Sequence, residues 1–411
     1  MKMNPILAFA LLALSFLSCN KGSGDDSGDA YMTVVSGGKS EFVIAYSSDA
    51  QAEASQLSTA FLKQTGASIP AKACNASSQQ KEILLGNTGR DETNAVLEKI
   101  GAYGYAIETM GDKLVIVGTD SYCLTMALYD FQDNVLKRKT YNTGKEFRFV
   151  KAYSKISGDV EKLSVRKCLD GTMSYSIGTE LVGHAEGDDT YWVAQGACSD
   201  GEYVYFSLRT VSTAAEQRVT IYKYRLSPFE LVAKSDPIDC GHANDITYCD
   251  ANNTLVHAHG STESKILTII DAGTLAVKTQ SKSISFNCGA ISYNSSKGKY
   301  VISSGKEAFR ITDSSFGELG LYYRTDASEK TAQGNGNDDG YIYFPMSGTT
   351  TEIEVYDWNG QYVTRIGLPI SNEVESIFSV GERLFAVFFA GTSVKGAYLY
   401  ELIPSMTYKY E

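Results

Sequence analysis

The chain contains a twelve-residue phrase that occurs twice, and this repetition limits the possible folds more than any other feature. Gln195–Phe206 returns 138 residues later as Gln333–Phe344, with Gln-Gly first, Asp at the sixth position and Tyr-x-Tyr-Phe at the end. Weaker versions begin at Asn244, Gly289 and Glu375, so the five starts are spaced by 49, 45, 44 and 42 residues. Such a period indicates structural units that each pack against their neighbours.

Each unit reads as several short strands separated by Gly, Asp, Asn and Ser turns, from about residue 160 to 411. Four strands in a period of ~40 to 50 residues are typical of a β-propeller blade. We predict five blades. Only 36 residues follow Glu375, so we expect the last blade to borrow a strand from about residues 172–180. A six-bladed ring that uses residues 150–190 as a degenerate blade is the alternative, although no repeat phrase stands near residue 150.

The phrase Gly241–Tyr248 reads Gly-His-x-Asn-Asp-x-Thr-Tyr. It resembles a phrase of bacterial propellers related to helveticin. The resemblance covers eight residues. It supports the assignment of a blade and implies no reaction.

Residues 31–150 show a different pattern, in which strands alternate with helices. Phe42–Tyr46, Ile83–Leu85, Tyr103–Met110 and Lys113–Gly118 read as strands. Helical periodicity follows a cap at Ser48 or Asp49, begins again at Asp91, and covers Ser121–Leu136. The predicted order is β-α-β-α-β-β-α, an α+β domain with helices on a sheet.

Several segments of this domain carry a family resemblance: Thr65–Pro70, Glu82–Thr88, Gly104–Ile107, Leu114–Gly118 and Met126–Phe131. They resemble the non-catalytic α/β domain that precedes the barrel in family 20 hexosaminidases and in α-glucuronidases. The resemblance implies a protein that handles complex glycans. Strand-rich residues 151–411 stand where those enzymes have their (β/α)8 barrel, so their catalytic carboxylates have no counterpart here.

The N-terminus has the form of an export signal, with Lys2 followed by an apolar stretch from Pro5 to Leu17. Leu17-Ser18-Cys19 resembles the bacterial lipobox, which implies lipidation of Cys19 and removal of the residues before it. Residues 20–30 are rich in Gly, Ser and Asp and are predicted to form a flexible tether. Their acidic cluster resembles the surface-export tags of Gram-negative lipoproteins. We expect an outer-membrane lipoprotein that faces outside, with periplasmic retention as the alternative.

Composition excludes some functions. The net charge is −11, from 37 Lys plus Arg against 48 Asp plus Glu, and no basic stripe is present, so nucleic-acid binding is disfavoured. The chain has no P-loop, dinucleotide fingerprint, HExxH or GxSxG motif, and no cofactor is predicted. The cysteines after Cys19 include no CxxC pair.

The alignment of the repeats predicts a site. The innermost strand of each blade opens at the aligned position, so polar side chains should converge at the mouth of the central channel: Gln195, Asn244, Asp245, Gln333, Asn335 and Glu375. Trp192 and His242 lie close to these positions in the sequence, as do Tyr191 and Tyr248. Polar groups on buried strands need a ligand or each other. A polar ring that holds only water is the alternative interpretation.

Three histidines are weak candidates for a metal site. His257 and His259 alternate along one predicted strand, and His242 stands beside Asp245, so together they could bind zinc. The spacing matches no established motif, and packing or loop roles are favoured. No metal is therefore predicted.

Three functions fit these features, and the first is favoured. Glycan binding at the channel mouth would use aromatic faces and polar groups. Glycoside hydrolysis would need two carboxylates, for which Asp245 and Glu375 are the candidates, with Asp188 and Asp338 in reserve. The third is a scaffold that binds another protein of a surface complex. The expected partners are a glycan, the membrane through the lipid anchor alone, and this surface complex.

Overall fold

The computed structural model describes residues 30–74, 77–170, 175–211, 217–260, 264–305, 307–324 and 330–406. The signal sequence, Cys19 and nearly all of the tether lie outside these residues. Two compact units are present: the first contains the described residues up to 119 together with 127–158, and the second contains 120–126 and 159–406. No helix in the described part of the chain is long and apolar enough to cross a membrane.

The described residues from Tyr31 to Ile156 form eight strands and three helices. The strands are β1 (Tyr31–Val35), β2 (Val43–Tyr46), β3 (Ala71–Ala73), β4 (Glu82–Leu85), β5 (Tyr105–Met110), β6 (Lys113–Gly118), β7 (Phe147–Val150) and β8 (Ser154–Ile156). The helices are α1 (Gln51–Thr65), α2 (Asp91–Leu97) and α3 (Ser121–Phe131), and a π-helical turn, Gln132–Leu136, follows α3. This confirms the predicted order of elements and adds short strands at both ends and one, β3, between α1 and β4.

A six-stranded sheet in the order β3-β2-β4-β6-β5-β8 is the centre of the first unit, and β1 pairs with β7 separately. Ala54, Leu57 and Phe61 of α1 recur at helical spacing and are buried. Gly66 ends α1 because its φ of 73° lies in the left-handed region. The predicted cap at Ser48 or Asp49 is wrong: the capping position is Ala50, which makes no side-chain cap bond.

The second unit begins with the short helix α4 (Val165–Asp170) and is otherwise built of strands. In chain order these are β9 (Tyr175–Glu186), β10 (Val193–Ser199), β11 (Tyr203–Arg209), β12 (Val219–Arg225), β13 (Glu230–Lys234), β14 (Asp245–Cys249), β15 (Thr254–Ala258), β16 (Ile266–Asp271), β17 (Val277–Ser283), β18 (Ala290–Asn294), β19 (Lys299–Ser303), β20 (Ala308–Asp313), β21 (Glu318–Tyr323), β22 (Thr331–Ala332), β23 (Gly336–Asn337), β24 (Tyr341–Ser347), β25 (Thr351–Asp357), β26 (Tyr362–Leu368), β27 (Val374–Val380), β28 (Arg383–Phe389) and β29 (Gly396–Met406).

These strands form the five blades of a β-propeller. Antiparallel pairing gives blade 1 (β10–β13), blade 2 (β14–β17), blade 3 (β18–β21) and blade 4 (β22–β26). Blade 5 consists of β27, β28 and β29, and β9 supplies its outermost strand by pairing antiparallel with β29. The predicted borrowed strand is therefore confirmed, and it extends to Glu186. A propeller closed in this way leaves no free edge between its first and last blades.

The core of the propeller lies between neighbouring blades. Each pair of adjacent blades shares one apolar cluster, such as Cys198, Tyr205 and Ile221 of blade 1 against Ile246 and Leu255 of blade 2. Strand residues of this type contribute about 1.5 to 3 kcal/mol each when they are fully buried. The inner strands β10, β14, β18, β23 and β27 carry the aligned repeat positions around the axis.

The repeated Asp and Tyr of the twelve-residue phrase build a turn. In blade 1, Asp200 Oδ1 accepts from the backbone N–H groups of Glu202 and Tyr203, and the Tyr205 hydroxyl donates to Asp200 Oδ2 at 2.7 Å. Asp338 of blade 4 accepts in the same way from two backbone N–H groups and from the Tyr343 hydroxyl at 2.6 Å. The phrase recurs because both inner hairpins are closed by the same set of hydrogen bonds.

Candidate functional site

Asp245 occupies the axis of the propeller. It is the first residue of β14, its side chain is completely buried, and its carboxylate accepts hydrogen bonds from other blades. Oδ2 accepts from the backbone N–H of Ile291 in blade 3 at 3.0 Å and of Asn335 in blade 4 at 3.1 Å. Oδ1 accepts from Ile246 N at 3.0 Å and lies 3.3 Å from Ser376 Oγ of blade 5, whose hydroxyl also has the closer carbonyl of Ala197 as an acceptor at 2.9 Å. One carboxylate therefore joins four blades.

The second aligned position explains how this carboxylate fits. The other blades have small residues there: Gly196, Ala290, Gly334 and Ser376. A Cβ atom at Gly196 would lie 2.9 Å from Asp245 Oδ1, and one at Gly334 would lie 3.2 Å from the same oxygen. Distances this short leave no room for a side chain on either glycine. Blade 1, the remaining blade, therefore also touches Asp245, through Gly196.

Burial dominates the electrostatics of Asp245. It raises the pKa of the carboxyl to about 8, although the three backbone N–H groups and the Ser376 hydroxyl act in the opposite direction. Oδ2 accepts two backbone hydrogen bonds, and Oδ1 accepts one and lies within hydrogen-bond distance of Ser376 Oγ. The position and bonding of Asp245 are those of a structural group that closes the channel.

On one side of Asp245, polar residues form one end of the channel, which we name the near mouth. These residues are Gln195, Arg209, His242, Asn244, Gln333, Glu373 and Glu375. Gln195 and Glu375 each coincide with an irregularity of strand register, between Ala194 and Gly196 in β10 and between Val374 and Ser376 in β27. A β-bulge turns the side chain of the extra residue away from the regular alternation. The irregularities therefore direct the buried polar side chains of Gln195 and Glu375 toward the axis.

Glu375 is the least satisfied group of the near mouth. Its side chain is 4% exposed, and among the described residues only charges at a distance, and no hydrogen bond, act on its carboxyl. Burial raises its pKa well above the ordinary value, and the charges of Glu373 and Asp245 raise it further, whereas Arg209 lowers it. A buried carboxyl without a protein partner is a hydrogen-bonding group that is available to a ligand.

Arg209 faces both glutamates without touching Glu375. Burial lowers the pKa of its guanidinium, and the charges of Glu375 and Glu373 raise it. Its Nε has no partner, and Nη1 donates to the carbonyl of Thr210 at 2.9 Å. Opposite charges that attract without a direct hydrogen bond can be joined by a group that both donates and accepts hydrogen bonds, such as a hydroxyl.

The glutamine side chains add acceptors to the near mouth. The amide Nε2 of Gln195 donates to the carbonyl of Ala194 at 2.7 Å, and that of Gln333 donates to Glu373. Because each amide nitrogen uses one of its two N–H groups within the protein, the Oε1 atom and the second N–H group of each side chain are left for a ligand. Gln333 and Glu375 are thus brought together through Glu373.

Trp192, Asn244 and His242 lie at the same end. The Trp192 ring stacks on Phe389, with centroids 5.9 Å apart, and its backbone N–H donates to Arg209 O. The backbone N–H of Phe389 in turn donates to Glu373 O, so the aromatic pair adjoins the carboxylates. Burial lowers the pKa of His242, and the charge of Arg209 lowers it further. Asn244 directly precedes β14 and is half-buried.

The other carboxylates considered for catalysis are engaged in turns. Asp188 accepts from the backbone N–H groups of Thr190 and Tyr191 and from the Tyr222 hydroxyl, an arrangement equivalent to that of Asp338. Hydrolysis of a glycosidic bond requires two carboxyls that flank one open space. Asp245 has no exposed surface, so a substrate that reaches Glu375 cannot touch it. The pairing of Asp245 with Glu375 for catalysis has no geometric support in this conformation.

The histidines considered for zinc are hydrogen-bonded to hydroxyl groups. His257 Nε2 lies 2.8 Å from Ser207 Oγ, and His259 Nε2 lies 2.7 Å from Thr268 Oγ1. Burial lowers the pKa of His257 to about 3, so this ring is neutral. In the described part of the chain no three His, Cys, Asp or Glu side chains come together as a metal site.

Sequence reasoning missed Arg209 and Glu373. Arg209 ends β11, and its pairing with Val193 places it beside the start of the inner strand. Glu373 directly precedes β27 and stands two residues before Glu375, at the same end of the inner strand. The hairpin register and this closeness in the sequence were therefore the available signals.

Neither a protein-family model nor a curated protein sequence matches the chain. Several solved structures resemble it distantly. They include the tail fiber of Staphylococcus aureus phage P68, with 12% identity and a TM-score of 0.40, covering 55% of this chain and 53% of that chain. RRP9 WD40 repeats match with 7% identity and a TM-score of 0.35, covering 55% of this chain and 98% of that chain. Because these similarities are low, the propeller assignment rests on the five blades themselves.

Proposed function

We propose that the protein is a lipid-anchored surface protein that binds glycans at the near mouth and does not hydrolyse them. One observation carries the proposal: Glu375 presents a buried carboxyl without a protein partner opposite the guanidinium of Arg209, from which it is separated. A sugar hydroxyl donates to a carboxylate and accepts from a guanidinium at the same time. One sugar hydroxyl between the two groups would therefore form hydrogen bonds with both.

Two further features support this proposal. The stacked rings of Trp192 and Phe389 adjoin the carboxylates, and sugar C–H groups pack on aromatic faces. The resemblance of residues 31–150 to the accessory domain of glycosidases, and of Leu17-Ser18-Cys19 to a lipobox, supports a role in glycan capture at the cell surface. Several acyl chains on Cys19, at about 0.8 kcal/mol per buried methylene, would hold the protein stably on the membrane.

The binding test uses the full mature chain, a glycan array and calorimetry with oligosaccharides from plant and host polysaccharides. Glu375→Ala should weaken binding about tenfold, because it removes a buried hydrogen-bonding group that contributes about 1 to 1.5 kcal/mol. Trp192→Ala should weaken it by a similar factor. Glu318→Ala, the same change on the exposed outer strand of blade 3, is the matched control and should leave affinity unchanged. No binding to any glycan, or equal binding by all three variants, would refute the proposal.

The anchoring test is separate. Cys19→Ser should move the protein from the membrane fraction to the soluble fraction and abolish labelling with a radioactive fatty acid. Protease treatment of intact cells distinguishes the two faces of the outer membrane, because only a protein that faces outside is digested. Membrane retention of the Cys19→Ser variant would contradict lipidation at this residue.

A protein-binding role has its own supporting observation, on the outer strand of blade 3. Leu319, Leu321 and Tyr323 alternate along β21 and are exposed, Tyr323 by 70%. Apolar residues on one side of an edge strand fit an interface with another protein. Affinity capture from membranes by the protein and by a Leu319→Ser, Leu321→Ser variant would test it, because only the first should retain a specific partner.

A further inference from the structure

The opposite end of the channel contains a cavity that the proposed function does not use. We name it the far mouth. It has a volume of about 350 Å³, and residues from the ends of the inner strands line it. Its lining includes Tyr248, Tyr293, Asn335 and Asn337. Asp245 is completely buried between the two mouths, so the far mouth is separated from Glu375. A volume of this size accommodates a small ligand.

Two buried amide oxygens in the far mouth have no partner. Asn335 is 2% exposed and Asn337 is 6% exposed, and the Oδ1 atom of each makes no hydrogen bond. The nitrogens are engaged: Asn335 Nδ2 donates to the carbonyl of Val301 at 3.4 Å, and Asn337 Nδ2 donates to Ser292 Oγ at 2.7 Å. A carbonyl only accepts, so the orientation of the Asn335 amide is fixed with its oxygen free. Leaving such an acceptor unpaired costs about 1 to 3 kcal/mol.

The two asparagines project to the same side of the chain. They are alternate residues, so their Cα atoms stand about 6.5 to 7 Å apart along an extended chain, and both amide nitrogens donate to the directly paired residues Ser292 and Val301. A ligand group in the cavity can therefore face both amides. That group must carry several hydrogen-bond donors, since it faces two acceptors.

The charges of the far mouth favour a cation. Asp338, Asp339 and Glu382 line it together with one basic residue, Arg166, so the lining is net negative. The Arg166 guanidinium donates to Glu382 and is thereby engaged. The rings of Tyr248 and Tyr293 add aromatic faces, which also attract cations.

We propose that the far mouth is a second binding site and takes a small organic ammonium ion that also carries hydroxyl groups, of the amino-sugar class. The ammonium has three donors, enough for Asn335 Oδ1, Asn337 Oδ1 and one carboxylate of the rim. An anionic sugar of the same size is excluded, because Asp339 and Glu382 repel it and the free amide oxygens offer it no donor. This site does not depend on glycan binding at the near mouth.

The test compares three sugars of one ring size with the full mature chain at pH 7: glucosamine, glucose and glucuronate. Saturation-transfer NMR and calorimetry should rank them glucosamine, then glucose, then glucuronate. Glucosamine should bind at least about fivefold more tightly than glucose, and 0.5 M NaCl should reduce that advantage, since exposed charges of the rim are screened. Equal binding of the three sugars, tighter binding of glucuronate, or no binding of any of them would overturn the proposal.

Two variants locate the site. Asn337→Leu should abolish the preference for glucosamine, and Asp339→Asn, on the exposed rim, should reduce glucosamine affinity about threefold. The second variant keeps the test decisive if the first fails to fold, because Asp339 is exposed. Glu375→Gln at the near mouth is the control and should leave glucosamine binding unchanged. A loss of glucosamine binding in Glu375→Gln with none in Asp339→Asn would assign binding to the near mouth and refute the second site.

Discussion

The two copies of the twelve-residue phrase lie in blades 1 and 4, and they share their structural contacts. Gly196 and Gly334 both pack against Asp245 at distances that exclude a side chain. The aspartate at the sixth position closes the hairpin turn in both copies and accepts from the tyrosine five residues later. The same residues are therefore repeated at the positions where the two blades make the same structural contacts.

The copies differ at their third and fifth positions. Blade 1 has Ala197 and Ser199 there, whereas blade 4 has Asn335 and Asn337. Ser199 completes its own turn, because its hydroxyl donates to Tyr203 O and accepts from Gly201 N. The two asparagines instead leave buried acceptors in the far mouth. The comparison teaches that the repeated Gly, Asp and Tyr positions hold the ring together, whereas the proposed second site lies at two positions that depart from the repeat.

The largest expected effect comes from replacing Asp245, on which Gly196 and Gly334 both pack. Asp245→Ala should reduce the free energy of unfolding of the propeller by about 3 to 5 kcal/mol, because three backbone N–H groups lose their acceptor. Urea unfolding followed by tryptophan fluorescence measures this unit alone, since both tryptophans, Trp192 and Trp358, lie in it. Asp189→Ala is the control, as its side chain is fully exposed, and should change stability by less than ~0.5 kcal/mol. A loss below 1 kcal/mol for Asp245→Ala would remove the central role assigned to it.

The pH dependence of stability tests the same carboxyl. Its pKa of about 8 in the folded protein lies above the unfolded value, so the folded state retains a proton that the unfolded state releases. The contribution of Asp245 is therefore fully present below about pH 4 and is lost as the pH rises through 8, by up to about 6 kcal/mol. His257, with a pKa of about 3, acts in the opposite sense between pH 3 and 6.5. The quantity to measure is consequently the difference between the protein and an Asp245→Asn variant from pH 4 to 9, and a difference independent of pH would contradict the shift.

The two glycines should respond alike. Gly196→Ala and Gly334→Ala should each cost about 1 to 3 kcal/mol, since each new methyl group would overlap Asp245 or the backbone of Glu375. Gly367→Ala in β26 is the matched control because nothing lies within 4 Å of its Cβ position. It should be neutral or slightly stabilising. Calorimetric melting of the three variants measures the effect, and a cost at only one copy would break the equivalence of blades 1 and 4.

Much of the fold was predictable because it depends on periodicity. The spacing of the repeat predicted five blades, and the short tail after Glu375 predicted the strand borrowed for blade 5. Both depend on counting residues between equivalent positions. The cap of α1 was mispredicted because the local signal of Ser48 and Asp49 was not used by the helix.

The sites were predictable only in part, since they depend on which side of a strand a residue projects from. The alignment placed Gln195, Gln333 and Glu375 at one mouth, and the role of Glu375 as a ligand group stays a prediction. It could not show that Asp245 would be sealed by hydrogen bonds from other blades, because those donors are backbone groups that any residue provides. Asn335 was predicted at the same mouth but lines the far mouth. The far mouth itself was missed because an unpaired amide oxygen has no sequence signature.

The smallest effect concerns the turn tyrosines. Tyr205→Phe and Tyr343→Phe should each lower the free energy of unfolding by about 1 kcal/mol, because each removes one hydroxyl donor from an aspartate that keeps its two backbone N–H bonds. Tyr205 Oη also lies 3.3 Å from the carbonyl of Ala272, but a hydroxyl has one proton and cannot donate fully to both acceptors. The two losses should therefore agree within ~0.5 kcal/mol in urea unfolding, with Tyr323→Phe on the exposed outer strand as a neutral control. A much larger loss at Tyr343 would mean that blade 4 uses this hydroxyl to support the far mouth as well as its turn.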